Sequence, residues 1–500
     1  MKSRRAKTQS RTSRVKKTNR TKKPTRTKKP TRSRKSGTHR VKRQATPRKG
    51  TEKPRATRRA KVGPGIPADL VLPSLRKHML VDGFEIVLDL QRSKGAYIVD
   101  AKDGKRYLDF FTFVASNPLG LNHPRMTTPE FLEKLAYVAV NKPSLSDIYT
   151  AEQAEFLETF SRVAIPPYLP HAFLIEGGAL GNENALKAAF DWKVRKNFER
   201  GYREERGHQV IHFGRAFHGR SGYTMSMTNT EPVKTDLYPK FNWPRIHPPV
   251  VRFPRTEENE LQAGREEETA IAQIKDAFFQ NRDDIAAIII EPVQGEGGDN
   301  QFRREFFLAL RQLADENEAM LIMDEVQTGI AMTGKMWAHQ HYVEPDMIAF
   351  GKKMQVCGFL CGRRIEEVKE NVFAVPSRLN STWGGNLVDM VRAQRYLEII
   401  EEENLVENAR TMGEHLLGRL NELASEFPGT ISNQRGLGLF AAFDVTDPDV
   451  RTRIREKCLQ KGLIILPSGV RSIRFRPPLT ITRSEIDAGI GIISKSIREL

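Results

Sequence analysis

Short, continuously apolar runs alternate with amphipathic stretches through the middle of this 500-residue chain. The apolar runs lie at residues 172–175, 210–213, 285–290 and 319–323, and helical patterns lie at residues 182–195 and 302–316. Strands that are apolar on both faces are typical of a parallel sheet covered by helices on each side. The pattern therefore predicts an α/β fold whose ligands bind beyond the carboxyl ends of the strands.

A different arrangement is predicted at the two ends of this body. Residues 86–90, 96–100 and 107–109 read as three short strands with turn residues between them, which indicates a small antiparallel element. A long helix from Val388 to Glu403 leads to a last α+β segment. The predicted division is a basic tail and hinge at 1–67, a smaller α+β domain from 68–120 and 386–500, and a large domain at 121–385.

The net charge of +20 is divided unevenly along the chain. Residues 1–61 hold 27 Lys and Arg against one acidic residue, so they carry +26, while the remaining 439 residues carry about −6. The basic segment contains no aromatic residue and cannot bury a core, so we expect it to be disordered. Two functions stay open for it: binding to a polyanion, either nucleic acid or an anionic surface, or a solvated extension without a partner.

Membrane, disulfide and metal classes are not favoured by the sequence. No apolar run approaches the roughly 18 residues of a membrane helix. Cys357, Cys361 and Cys458 are too few for a disulfide framework in a chain of this size, which indicates a reducing compartment. Neither the cysteines nor His339 and His341 have the four-ligand spacing of a zinc site. We therefore expect a soluble, cytoplasmic enzyme without a metal.

A glycine-rich turn at residues 176–185 follows the first apolar run and opens a helix. Backbone N–H groups at a helix start form an anion site, and phosphate is a common occupant. The spacing matches neither the nucleoside triphosphate loop nor the dinucleotide fingerprint. Alone, this turn is a weak signal, and an ordinary tight turn is the better explanation.

Asp324 follows a strand that is buried by its own composition, so its carboxylate needs a partner, either an arginine or a protonated heterocyclic nitrogen. Lys352 follows another apolar run, where partial desolvation would lower its pKa and free the amine for Schiff-base formation. A single lysine in this place is usually an ordinary surface residue at a strand end. With the glycine-rich turn and the aromatic Phe217, these residues occur in the order that a pyridoxal 5'-phosphate site requires.

From about residue 70 to 500, the sequence resembles the class III (ω-amino acid) aminotransferases of fold-type I. The stretches that carry the resemblance are residues 216–224, 291–299, 349–358 and 371–386. The last two are most similar to the branch that transfers the ε-amino group of L-lysine. The resemblance implies pyridoxal 5'-phosphate as cofactor and a homodimer with shared active sites.

The resemblance also implies which residues contact the cofactor. Lys352 would bind its aldehyde and then shuttle a proton, and Asp324 would hold the proton of its ring nitrogen. The other implied contacts are Gly178 and Ala179 with the phosphate, Phe217 with the ring face, Gln327 with the phenolic oxygen, and Thr382 with the phosphate of the neighbouring subunit's cofactor. Ala179 departs from the wider family, which carries Ser or Thr there.

The substrates of such an enzyme need two carboxylate positions at different distances from the reacting nitrogen. Arginines suit both because their planar forks bind carboxylates through two hydrogen bonds. The nearer arginine must be masked while lysine is bound, since an unpaired buried charge is costly. The resemblance implies Arg220 as the distal clamp, Arg474 as the nearer one and Glu296 as the gate that pairs with Arg474.

The expected reaction transfers the ε-amino group of L-lysine to 2-oxoglutarate by a ping-pong mechanism. Its products are 2-aminoadipate 6-semialdehyde, which cyclises to piperideine-6-carboxylate, and L-glutamate. A 4-aminobutyrate or ornithine specificity would share the cofactor residues and differ around Arg220, Phe113, Asn380 and Ser381. The alternative from another class, a polyanion-binding protein with an inactive aminotransferase body, conflicts with the intact cofactor residues.

Overall fold

A seven-stranded sheet runs through the computed structural model, which describes residues 65–500. Its strand order is β3-β9-β8-β7-β6-β4-β5, and only β9 runs antiparallel to its neighbours. The predicted α/β fold with a mostly parallel central sheet is confirmed. The predictions of disorder and polyanion binding at residues 1–61 lie outside the described residues.

The fourteen strands of the described chain are β1 Tyr97–Val99, β2 Arg106–Asp109, β3 His171–Ile175, β4 Gln209–Phe213, β5 Arg245–Ile246, β6 Ile285–Ile290, β7 Met320–Asp324, β8 Met347–Phe350, β9 Cys357–Cys361, β10 Ile431–Leu437, β11 Phe440–Val445, β12 Leu463–Ile464, β13 Leu466–Ser468 and β14 Ser472–Phe475. All residues of β6, β7 and β8 are buried. Their uninterrupted apolar composition follows from cover on both faces of the sheet.

The helices are α1 Ala68–Leu75, α2 Thr112–Ala115, α3 Pro129–Ala139, α4 Ala151–Val163, α5 Gly178–Glu199, α6 Gly222–Met227, α7 Glu257–Gln280, α8 Arg304–Glu316, α9 Leu387–Glu402, α10 Leu405–Glu426, α11 Pro448–Gln460 and α12 Arg483–Arg498. The segment labelled α2 is a left-handed turn with φ between +40° and +62°. In residues 65–500, no helix combines the length and apolar character of a membrane crossing.

Two smaller sheets lie outside the central one. Strands β1 and β2 form an antiparallel pair, and β12 joins β2 in parallel, so segments from both ends of the described chain share one sheet. The second sheet has the order β10-β11-β14-β13 and is antiparallel throughout. This arrangement agrees with a smaller α+β part built from N- and C-terminal segments, while the predicted domain boundaries stay a prediction.

Two local predictions differ from the structure. Residues 86–90 form only an isolated bridge, because the Asp89 carboxylate accepts hydrogen bonds from the backbone N–H groups of Gln91 and Arg92 and turns the chain there. Helix α5 begins at Gly178, four residues before the predicted start. The reason is Gly177, whose φ of +103° lets the chain turn directly from β3 into the helix.

Candidate active site

The start of α5, the turn after β7 and the residues before Lys352 meet at the carboxyl edge of the central sheet. A Cβ atom at Gly178 would lie 2.7 Å from Cγ1 of Val326, and one at Gly351 would lie 3.5 Å from the Gly178 Cα atom. A side chain at Gly178 would therefore collide with the side chain of Val326. This contact brings the glycine-rich turn beside the residues that follow β7 and β8.

Asp324 ends β7 and is 4% exposed. Its Oδ2 accepts hydrogen bonds from Asn182 Nδ2 at 2.7 Å and His218 Nδ1 at 2.8 Å, and its Oδ1 accepts one from the Val326 backbone at 3.0 Å. Within residues 65–500, no arginine pairs with this carboxylate. Burial by itself lowers the pKa of His218, but the hydrogen bond and charge of Asp324, with the charge of Glu291, raise that pKa above its ordinary value.

Glu291 is a second buried carboxylate beside this pair. Its Oε1 accepts a hydrogen bond from the backbone of Phe217 at 2.9 Å, and its Oε2 accepts one from the backbone of Gly295 at 3.0 Å. Burial is the main cause that raises the pKa of Glu291 to about 7. Glu291 thus ties the loop of Phe217 to the loop that carries Glu296.

Lys352 follows β8 in a left-handed conformation, with φ at +48°. Burial lowers the pKa of its ammonium group below the ordinary value for lysine. Glu296 and Asp324 act in the opposite direction, so both carboxylates lie close enough to affect the amine. The environment is that of a partly desolvated lysine and does not fit the alternative of an ordinary surface position.

Arg474, on β14, is 4% exposed and pairs with Glu296 at 2.7 Å. Its Nε atom is buried and has no hydrogen-bond partner among the described residues, so the guanidinium retains a donor for another acceptor. Burial tends to raise the pKa of Glu296, but the charge and hydrogen bond of Arg474, with the charges of Lys234 and Lys352, lower it to about 2. Glu296 is therefore ionised at neutral pH.

A second arginine, Arg476, fixes the side chain of Gln327. Its Nε and Nη2 donate to Gln327 Oε1 at 3.2 and 3.0 Å, and its other contacts include both oxygens of Asp299 at 2.8 and 2.9 Å. Arg474 adds a longer bond to the same amide oxygen, at 3.4 Å. With Oε1 engaged in this way, the amide nitrogen of Gln327 is the group left to donate to a ligand.

Sequence reasoning assigned no role to five of these partners: Asn182, His218, Glu291, Asp299 and Arg476. A signal existed for Arg476, because alternate residues of a strand lie on the same face and Arg474 was already singled out. His218 stands next to Phe217 within a stretch that carries the resemblance. Asn182, Glu291 and Asp299 also lie in stretches that the sequence singles out, but no spacing within those stretches indicates their tertiary contacts.

Three predicted site residues lie outside this buried cluster. Arg220, Asn380 and Thr382 are exposed, and Arg220 forms no ion pair within residues 65–500. The loop of Thr382 instead contacts the segment before α4, where Ser146 Oγ donates to the Ser381 carbonyl oxygen at 2.6 Å. The structure thus joins Lys352, Asp324, Gln327, Glu296 and Arg474, and does not join these three residues to them.

The polar groups of this site fit the functional groups of pyridoxal phosphate. The first backbone N–H groups of α5 at Gly178 and Ala179 have no partner within the helix and suit a phosphate. Asp324, oriented by His218 and Asn182, suits a protonated ring nitrogen, and the lysine amine suits an aldehyde. The residues present therefore fit this cofactor.

The family model for aminotransferase class-III matches residues 80–497 of the chain. The chain belongs to the class III aminotransferases. Enzymes of this family depend on pyridoxal phosphate, so the predicted family, enzyme class and cofactor are confirmed. In this class III aminotransferase, the glycine-rich turn, Asp324 and Lys352 lie close together at the carboxyl edge of the central sheet.

The curated relatives include the L-lysine-epsilon aminotransferases of Mycobacterium tuberculosis and Amycolatopsis lactamdurans. The first is 53% identical over 86% of this chain and 95% of its own length, and the second is 48% identical over 88% and 98%. A solved structure of the lysine aminotransferase from M. tuberculosis, in the internal aldimine form, superposes with a TM-score of 0.85 at 52% identity. It matches 87% of this chain and 100% of that chain.

His339 forms hydrogen bonds on both sides of its ring. His339 Nδ1 lies 3.0 Å from Glu325 Oε1, and its Nε2 lies 2.7 Å from the hydroxyl of Tyr168. These contacts fix the side chain of Glu325, the residue that follows Asp324. In the described part of the chain, the cysteines are free, and no group of three or more His, Cys, Asp or Glu side chains is arranged to hold a metal.

Proposed function

We propose that this enzyme is an L-lysine 6-aminotransferase, which transfers the ε-amino group of L-lysine to 2-oxoglutarate. The products are 2-aminoadipate 6-semialdehyde, which cyclises, and L-glutamate. The observation that carries the proposal is the ion pair of the buried Arg474 with the partly buried Glu296, beside Lys352. Support also comes from curated relatives named L-lysine-epsilon aminotransferase at 48 to 53% identity, a level well above the 31 to 32% of the 4-aminobutyrate aminotransferases.

When bound, pyridoxal phosphate supplies an aldehyde that accepts an amino group and a ring that stabilises negative charge on the adjacent carbon. Lys352 provides the amine that holds the aldehyde between turnovers and then moves the proton of the reacting carbon. Asp324 keeps the ring nitrogen protonated, and its bonds to His218 and Asn182 orient it for this task. Burial of Asp324 strengthens the charge interaction because little water screens it.

The other predicted contacts complete the cofactor site. Gly178 and Ala179 bind the phosphate through the backbone at the start of α5, and Phe217 covers one face of the ring. Gln327 donates from its amide nitrogen to the phenolic oxygen, which is consistent with the engagement of its Oε1 by Arg476. The Glu291 carboxylate holds the backbone of Phe217 in place.

Two half-reactions use the carboxylate positions differently. Arg220, supported by Asn380, binds the carboxylate of lysine far from the reacting nitrogen, while Glu296 neutralises Arg474. For glutamate or 2-oxoglutarate, Glu296 leaves Arg474, which then binds the carboxylate close to the reacting carbon. The unpartnered Nε of Arg474 supports this role, since it adds a donor for a two-bond contact.

A substitution of Arg474 tests the two-carboxylate site. In Arg474→Ala combined with Glu296→Gln, neither charge is left buried without a partner. We expect the Kd for glutamate to rise about 100-fold, because a buried charge pair with the substrate is lost. The reaction with L-lysine should slow by less than about fivefold, since Glu296 and Arg474 neutralise each other in that half-reaction.

Single-turnover absorbance changes of the cofactor measure both half-reactions separately. Glu296→Gln alone is the control, because it keeps Arg474 and should leave glutamate binding intact or tighter. A loss of the same size for lysine and glutamate in the double variant would contradict the assignment of Arg474 to the nearer carboxylate.

Three further expectations are part of the proposal. The enzyme acts as a homodimer in which Thr382 reaches the cofactor phosphate of the neighbouring subunit, and exposure of Thr382 in the single chain supports this. It resides in the cytoplasm, in line with three free cysteines. Residues 1–61, with a charge of +26, bind a polyanion such as nucleic acid or an anionic surface.

A further inference from the structure

Glu296 lies between two cations, one for each oxygen of its carboxylate. Oε1 is 2.7 Å from Arg474 Nη1, and Oε2 is 3.6 Å from Lys234 Nζ. The side chain of Arg474 is 4% exposed, whereas that of Lys234 is 21% exposed and ends the short 3-10 helix Pro232–Lys234. The ion pair of Glu296 with the buried Arg474 is therefore the shorter one, and the pair with the more exposed Lys234 is longer.

Release of Glu296 from Arg474 leaves a carboxylate that is still mostly out of water, since its side chain is 19% exposed. Such a charge is destabilised unless another cation or several donors take it up. Rotation toward Lys234 shortens a contact that already exists. An interaction shifts an equilibrium only if it is stronger in one of the two states. A closer ion pair between Glu296 and Lys234 would therefore favour the state in which Arg474 is free.

The ammonium group of Lys234 is held in place before any such rotation. It lies 5.4 Å from the centroid of the Phe217 ring and 3.3 Å from Glu231 Oε1. The aromatic face and the second carboxylate reduce the freedom that the lysine would lose on pairing with Glu296. Glu231 is half exposed, so water can solvate it when Lys234 turns to Glu296.

We propose that Lys234 is a specificity-determining residue that holds Glu296 away from Arg474 while glutamate or 2-oxoglutarate occupies the site. The proposal rests on the proposed function, from which it takes the second pair of substrates and the displacement of Glu296. Glu296 would then have a defined partner in each state: Arg474 when L-lysine is bound, and Lys234 when glutamate or 2-oxoglutarate is bound. Lys234 acts on the second half-reaction and has no role in the chemistry at Lys352.

The test compares Lys234→Met, which removes the charge and keeps most of the stem, with Lys234→Arg, which keeps a cation. Single-turnover spectra of the holoenzyme give the Kd for glutamate and, separately, for L-lysine. For Lys234→Met we expect the Kd for glutamate to rise about fivefold, with a change of less than about twofold for L-lysine. Lys234→Arg should return the glutamate value to within about twofold of the wild type. Lys275→Met, at an exposed position of α7, is the matched control for loss of a lysine charge.

The Glu296→Gln background separates this role from a general structural effect. With no carboxylate charge to hold, the effect of Lys234→Met on the glutamate Kd should fall below about 1.5-fold. The proposal is overturned by an unchanged glutamate Kd in the single variant, by equal effects on both substrates, or by a full effect that persists with Glu296→Gln. A wild-type enzyme that fails to react with L-lysine would instead overturn the proposed function, and the glutamate comparison would still stand.

Discussion

Replacement of Lys352 by alanine is expected to abolish transamination, with kcat lower by at least about 10⁴-fold, because the residue serves both as nucleophile and as proton carrier. The lowered pKa of this buried amine, between Glu296, Asp324 and two arginines, is the structural basis of the expectation. The variant should still bind pyridoxal phosphate, but without a covalent bond. Borohydride treatment followed by denaturation and mass spectrometry measures this bond directly.

A second lysine, Lys353, directly follows Lys352, so the covalent bond to the cofactor has to be assigned to one of the two. Its Nζ donates to the carbonyl oxygen of Gln327 at 2.6 Å, and the residue is 2% exposed, so its amine is committed to the protein interior. Peptide mapping of the reduced wild-type enzyme should place the cofactor on Lys352 alone. A reduced adduct in Lys352→Ala, or an adduct on Lys353 in the wild type, would show that the assignment of the lysine is wrong.

Substitution of Asp324 by asparagine is expected to lower kcat by about 10²- to 10³-fold, because the ring nitrogen loses the charge that keeps it protonated. The side chain keeps its size, and its oxygen can still accept from His218 or Asn182, so the fold should be retained. Steady-state kinetics and the absorbance spectrum of the bound cofactor give the two readouts.

Asp324→Glu retains the charge and should lose less activity than the asparagine variant. An N-methylated cofactor analogue carries a permanent positive charge on the ring nitrogen and should restore part of the rate of Asp324→Asn. If Asp324→Asn keeps wild-type kcat, or if the analogue has no effect on it, the carboxylate does not have this role.

The central sheet could be predicted from the sequence because its interior imposes a simple rule. Ile285–Ile290 and Met320–Asp324 are buried from end to end, and all of their residues are apolar except Asp324 at the end of the second strand. The strand ends then marked Asp324, and the run before Lys352 marked the lysine in the same way. The family resemblance added the identities of Glu296 and Arg474, which the structure joins at 2.7 Å.

The contacts that could not be predicted join residues that are far apart in the sequence. His218 and Asp324 are 106 positions apart, and Asp299 and Arg476 are 177 apart, so no local pattern indicates either pair. The start of α5 depends on the positive φ of Gly177, which composition does not reveal. Residues 86–90 have the composition of a strand, but the side chain of Asp89 binds the backbone and turns it.

Single-turnover rates of the wild-type holoenzyme with L-lysine, L-ornithine and 4-aminobutyrate decide whether the enzyme is specific for lysine. The proposed function predicts a second-order rate constant for L-lysine at least about tenfold above those for the other two, which is the lower end of the discrimination that one methylene gives. The lysine product should be the cyclised semialdehyde, formed by loss of the ε-amino group. A faster reaction with L-ornithine or 4-aminobutyrate, or transfer of the α-amino group of lysine, would show that the proposed function is wrong.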